Sequence, residues 1–236
     1  MTGSLLPALA LVCTHLFAHH LKRLDGVPRS RWLSAAGGAS VAYVFLHLLP
    51  EIAHGQEAAL DGFGALEERL AWLLALVGLV GFYALDVLVR RQRDAGGPAL
   101  HHEGAHRTGP FWVHLGSFAL YNVITGFLLT EEGGSRVLFA LALALHFLVV
   151  DYGLREDQLA TWRRIGRWVV SSALLAGWLV GVVATPPEAL IFGLIAFLGG
   201  GIVLNVLKEE LPEERRSRLL PFLGGAAGYA GLLLAT

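Results

Sequence analysis

Apolar runs long enough to cross a membrane set the first constraint on this chain. An α-helix needs about 20 largely apolar residues to span a bilayer, and the sequence supplies eight such runs, at roughly 3–21, 31–52, 68–89, 110–130, 136–154, 167–185, 188–207 and 219–236. The third to sixth are uninterrupted. The first contains His15, His19 and His20, and the second and seventh carry Gly pairs and charged ends. Apolar residues make up 55% of the 236, and mean hydropathy is +0.58, outside the range of a water-soluble domain. The connections are too short for a soluble domain, so residues 1–236 read as one all-α transmembrane domain. No basic segment precedes the first run, which is therefore read as a retained helix and not a cleaved signal. Cys13 is the single cysteine and cannot close an internal disulfide.

Charge then orients the helices. Lys22, Arg23, Arg29 and Arg31 fall between runs one and two, and Arg90, Arg91, Arg93 and Arg107 between three and four. Arg155, Arg163, Arg164 and Arg167 follow run five; Lys208, Arg215, Arg216 and Arg218 follow run seven. Only Arg69 and Arg136 are left for the other side. Basic residues in short loops stay cytoplasmic, so both termini are expected outside. The basic loops report orientation, and no nucleic-acid partner is expected.

An internal repeat is legible. GGASVAYVFLHLLPE, Gly37 to Glu51, aligns without a gap on GGGIVLNVLKEELPE, Gly199 to Glu213, with seven identities in fifteen positions. Run two points outward and run seven inward, so the copies are inverted and relate helices 1–3 (residues 1–89) to helices 6–8 (165–236). Inverted repeats place a substrate path near their interface in transporters. Residues 110–154 form a central helix pair, reached through a His-containing loop at 90–109.

Ionisable groups inside a bilayer are costly and mark function by default. His47, Glu51 and His54 are spaced i, i+4 and i+7, one helical face if the helix survives Pro50, and read as a candidate Zn²⁺ capture site. Glu209 and Glu210 are their carboxylate-only counterparts on run seven and would prefer hard cations or solvent. His101, His102 and His106 could buffer metal in the cytoplasmic loop. Asn122 and His146 fall at levels that allow them to meet. His114, Asp151 and Asp86 lie near the cytoplasmic face and could form a cation exit site, although pairing of Asp86 with Arg90 at i+4 is favoured. His15, His19 and His20 are expected to snorkel beside Lys22 and Arg23.

In layout the chain resembles the ZIP (Zrt/Irt-like) family of divalent-metal transporters. FLHLLPE resembles the end of that family's second helix, and GGIVLNVLKEELPEE, Gly200 to Glu214, resembles its seventh. The resemblance implies a 3+2+3 arrangement of eight helices, both termini outside, a His-rich loop between helices three and four, and a homodimer. It also implies a transport site on helices four and five. There this chain departs from the family's His-Asn-x-Pro-Glu-Gly and (His/Gln)-(Glu/Asp)-x-Pro-Glu motifs. YNVITG keeps Asn122 and Gly126 but has Tyr121, Ile124 and Thr125 for His, Pro and Glu; HFLVV keeps only His146, with Phe147, Val149 and Val150 replacing the rest.

The expectation is movement of a divalent cation, most readily Zn²⁺, across a bacterial inner membrane by alternating access, with the helix four and five pair moving. Asn122, Thr125 and His146 would line the path, with His114 and Asp151 near its inner end. No resident cofactor and no enzymatic activity are expected. The rival is a non-transporting sensor or scaffold that kept the fold after losing the site. An intramembrane metallohydrolase ranks lower, because the candidate ligands lie at opposite faces.

Overall fold

A computed structural model describes residues 2–17, 31–59, 67–94, 109–131, 136–157, 161–210 and 218–235. These residues form eight helices and no strands. They are α1 (Thr2–Phe17), α2 (residues 31–59), α3 (Glu67–Asp94), α4 (Gly109–Glu131), α5 (Arg136–Asp157), α6 (residues 162–183), α7 (Glu188–Glu210) and α8 (Leu219–Leu234). Five are long and apolar enough to span a membrane: α2, α3, α4, α6 and α7. The apolar stretches in α1, α5 and α8 are shorter, at Gly3–Phe17, Val137–Leu148 and Leu219–Leu234. The loop histidines His101, His102 and His106 lie outside the described residues, as do the side chains of Glu209 and Glu210.

The outward faces identify the solvent. Trp72, Leu76, Val77, Val80 and Tyr83 of α3 are all exposed, and only 11% of that span is buried. A helix that turns such a face outward needs lipid around it, because water would not tolerate a patch of this extent. The molecule is a multi-pass membrane protein.

Helix two does not end at Pro50. Within α2 the segment Val44–Leu48 is a π-helix, and Leu49 donates its N–H to the carbonyl of Val44, five residues back. Proline interrupts an α-helix because it has no N–H to offer the preceding turn. Widening that turn to i→i+5 bonding re-pairs the backbone just before the proline, and the helix runs on to Ala59. By contrast Pro186 and Pro187 do stop α6, in the extended link 184–187 before α7.

The helices pack as pairs, closely for α4 with α6, α2 with α8 and α3 with α7, and more loosely for α1 with α5, which also packs on α2 to a similar extent. The partners run parallel. In α2–α8, for instance, Ser34 Oγ accepts from the Arg218 N–H near one end and Tyr43 meets Tyr229 further along. Three of the pairs cross on reciprocal glycines. A Cβ on Gly38 would fall against the Phe222 carbonyl, and one on Gly225 against that of Ala35. Gly200 faces the Ala75 carbonyl while Gly78 faces that of Phe197; Gly126 faces Leu174 and Gly177 faces Val123. Backbones approach this closely only where no side chain separates them. Helices α4 and α5, expected as a central pair, share little backbone contact; each is bound to another helix. The bundle has two halves, α1–α4–α5–α6 and α2–α3–α7–α8, which are joined through α2–α5 and α3–α4 contacts.

Candidate functional site

Asn122, Asp151 and His15 meet inside the first group, one from each of α4, α5 and α1. His15 Nδ1 lies 2.8 and 3.1 Å from the two carboxylate oxygens of Asp151, and its Nε2 lies 2.8 Å from Asn122 Oδ1. All three residues are buried. Asn122 Nδ2 donates to the Phe118 carbonyl at 2.9 Å, one turn back, which fixes the amide with its oxygen toward the imidazole. Nε2 must therefore carry a hydrogen, because an amide oxygen can only accept. A second hydrogen lies between Nδ1 and the carboxylate. Wherever that second proton rests, the His15–Asp151 pair is neutral overall, which lets it sit in hydrocarbon. Phe147 stacks on the ring at 4.6 Å and Phe118 meets it edge-on at 6.1 Å, closing the site to water.

About 7.5 Å back along α5, by helical rise, lies His146. It is 3% exposed, and neither ring nitrogen has a hydrogen-bond partner among the described residues. The Tyr121 hydroxyl and Thr125 Oγ1 on α4 are likewise buried and unpartnered, and the Tyr121 ring lies 6.1 Å from that of His146. Buried polar atoms are nearly always paired. His146, Tyr121 and Thr125 thus place two imidazole nitrogens and two hydroxyls, all unpaired among the described residues, in an otherwise apolar core.

A cavity of about 250 Å³ lies between the two helix groups. Its walls carry three carboxylates, Glu51 from α2, Glu131 from α4 and Glu188 from α7, together with His47. Glu51 and Glu188 are exposed, so the cavity reaches the surface. His47 stacks on Tyr43 at 5.4 Å. Leu128 and Phe139 line the deeper wall, three residues from Thr125 on α4 and seven from His146 on α5. Along α4, starting from this carboxylate-lined vestibule, the order is Glu131, Leu128, Thr125, Asn122 and Tyr121, so the unpaired group and the His15 triad overlap in level.

Several expected groupings are not assembled. Asn122 bonds His15, not His146. The exit cluster of His114, Asp151 and Asp86 does not form: Asp151 pairs with His15, and Asp86 binds Lys208 Nζ of α7 at 2.6 Å. The Arg90 side chain expected beside Asp86 is outside the described residues. His15 does not snorkel but is fully buried. His47 and Glu51 share the vestibule while His54 is exposed and outside its lining. Among the described residues no three His, Cys, Asp or Glu side chains converge as a metal centre. Sequence reasoning read His15 as interfacial and gave no role to Tyr121, Glu131 or Glu188. A signal for His15 existed, since an intramembrane Asp151 demands a cationic or donor partner.

These features define a polytopic helical membrane protein with buried polar groups in its core. No family model, curated protein or solved structure matches the chain.

Proposed function

We propose that the protein is a ZIP-like carrier that moves a divalent metal cation, with zinc the leading candidate, across a bacterial inner membrane by alternating access. The observation that carries this reading is the unpartnered His146, Tyr121 and Thr125 group beneath a carboxylate-lined vestibule. The vestibule concentrates cations by charge, and the group below offers one imidazole and two hydroxyl oxygens, a weak and therefore exchangeable site. Asn122 and Asp151 are engaged by His15 and are not assigned to the cation. The family resemblance alone suggests the homodimer.

Helix packing supports the inverted repeat. Exchanging helices 1–3 with 6–8, and α4 with α5, turns the α2–α8 pair into α7–α3, both close-packed, and the α4–α6 pair into α5–α1, which is the looser of the two. The glycine contacts obey the same exchange. Ala35 and Gly38 precede Phe197 and Gly200 by 162 residues, the offset that aligns Gly37–Glu51 on Gly199–Glu213; Phe222 and Gly225 follow Ala75 and Gly78 by a common 147. The vestibule lies between the two four-helix groups, so rocking of α1–α4–α5–α6 against α2–α3–α7–α8 would open the path to alternate sides. That replaces the α4–α5 pair as the moving unit.

One observation favours the sensor or scaffold instead. Phe147 and Val150, at the positions of lost family ligands, are buried apolar side chains, and Phe147 packs on His15. Uptake separates the readings. Purified protein in liposomes is expected to take up at least one of Zn²⁺, Mn²⁺, Fe²⁺ and Cd²⁺ saturably, and His146→Ala to slow the initial rate by about tenfold or more, a loss of roughly 1.4 kcal/mol. Zero uptake of all four ions sinks the carrier; wild-type rates in His146→Ala move the path elsewhere.

A further inference from the structure

From the His15–Asp151–Asn122 triad we infer a second activity, resting on the carrier reading: the protein exchanges protons for the cation, and this triad is the proton-carrying site. The triad cannot hold the metal in the observed geometry. Its contacts of 2.8–3.1 Å are hydrogen-bond distances, and they leave from opposite edges of one imidazole ring, so no single ion could replace both. What the geometry does hold is two protons, one on Nε2 and one shared between Nδ1 and the carboxylate.

Loss of the shared proton gives His15·Asp151⁻ + H⁺ and leaves the pair with a net charge of −1. In hydrocarbon that state is costly unless a positive charge stands close by. The proposed cation site at His146 lies about 7.5 Å away along the axis of the same helix. A divalent ion arriving there from the vestibule stabilises the deprotonated pair, and the proton leaves to water on that face. Once the ion departs on the other face, the pair recovers a proton from that side. Cation and proton thus move in opposite directions.

The surroundings isolate this couple. His15 is the only charged partner of Asp151 among the described residues. The other titratable side chains described on the packed helices are Cys13 on α1, Arg31, Tyr43, His47, Glu51 and His54 on α2, His114, Tyr121 and Glu131 on α4, His146 on α5, and Arg163, Arg164 and Arg167 on α6; none makes a hydrogen bond or ion pair to His15 or Asp151. On α1 the neighbours turned toward the triad are apolar or hydroxylic, Leu11 and Ala8 with Ser4 further along.

The test uses wild-type protein in liposomes containing a trapped pH dye, clamped with K⁺ and valinomycin, with Zn²⁺, Mn²⁺, Fe²⁺ or Cd²⁺ added outside in separate runs. Cation uptake is expected to make the lumen alkaline, and an inside-acid gradient to speed uptake severalfold. Asp151→Asn and His15→Gln, each checked for a single symmetrical elution peak, are expected to lower the ratio of protons exported to cations imported at least fivefold and to abolish the stimulation by the gradient, whatever rate remains. Uptake by the wild type without lumenal alkalinisation overturns the exchange while sparing the carrier, and needs no variant to fold. An unchanged ratio in both variants removes the triad from the coupling. Absence of any uptake overturns carrier and exchange together.

Discussion

Alanine at Gly38, Gly78, Gly126, Gly177, Gly200 or Gly225 is expected to destabilise the detergent-solubilised protein by about 3 kcal/mol or more each, roughly 6–12 °C in melting temperature. At each of these positions a methyl group would fall inside the contact distance of a carbonyl on the partner helix. Backbone atoms cannot rotate out of the way as a side-chain end can, so the two helices must separate along their crossing. Separation costs dispersion contacts over several turns, and dispersion is the main attraction between helices in lipid. A control is built into the chain. Gly81, Gly116, Gly224, Gly228 and Gly231 would meet nothing within 4 Å, so alanine there should leave the melting temperature unchanged or raise it slightly, since glycine costs a helix roughly 0.5–1 kcal/mol. Equal effects in the two sets, read by tryptophan fluorescence melts, would show that the close crossings are not what holds the bundle. The proposed repeat adds a finer expectation: Gly38 and Gly200, paired under the 162-residue offset, should lose similar amounts.

Glycine spacing is the part of the sequence that the helix crossings use most directly. Gly37–Glu51 laid over Gly199–Glu213 pairs Gly38 with Gly200, and each touches a carbonyl on a parallel partner helix. Close helix packing has a strong sequence signal because it needs glycine itself. The eight helices were legible for a similar reason: a run of apolar residues has few other uses. Pro50 shows where this reading stops. Whether a proline ends a helix depends on backbone bonds it does not itself make, and the π turn at Val44–Leu48 leaves no residue signature. The site was less legible still. Asp151 announces a missing partner, but the partner is 136 residues away, and His19 and His20 beside it dilute the signal. The vestibule draws Glu51, Glu131 and Glu188 from three helices. Glu51 alone belonged to a recognisable motif, and its companions looked like ordinary helix-end charges.

The same buried pair that is proposed to carry a proton should dominate the stability of α1 against α4 and α5. Asp151→Leu leaves an imidazole without its carboxylate, and His15→Leu leaves a carboxylate without its imidazole. Breaking a buried pair by removing one member costs about 3–5 kcal/mol, because the remaining charge or dipole has no other partner. Both residues are fully enclosed and neither bonds water-facing groups among the described residues, so each single substitution is expected near that range. The double substitution His15→Leu/Asp151→Leu removes both charges and keeps the volume approximately filled. It strands only Asn122 Oδ1, at about 1–3 kcal/mol, and should therefore melt above both single variants. The double-mutant cycle is expected to return a coupling of about 3 kcal/mol or more, against roughly 0.5 kcal/mol for independent sites. Additive losses would mean that the two side chains do not depend on each other. The same cycle then separates architecture from coupling. If the double variant folds and still takes up cation but no longer exports protons, α1 is held chiefly by packing. The charged pair would then have been kept for the proton it carries, since leucines could replace it in the fold.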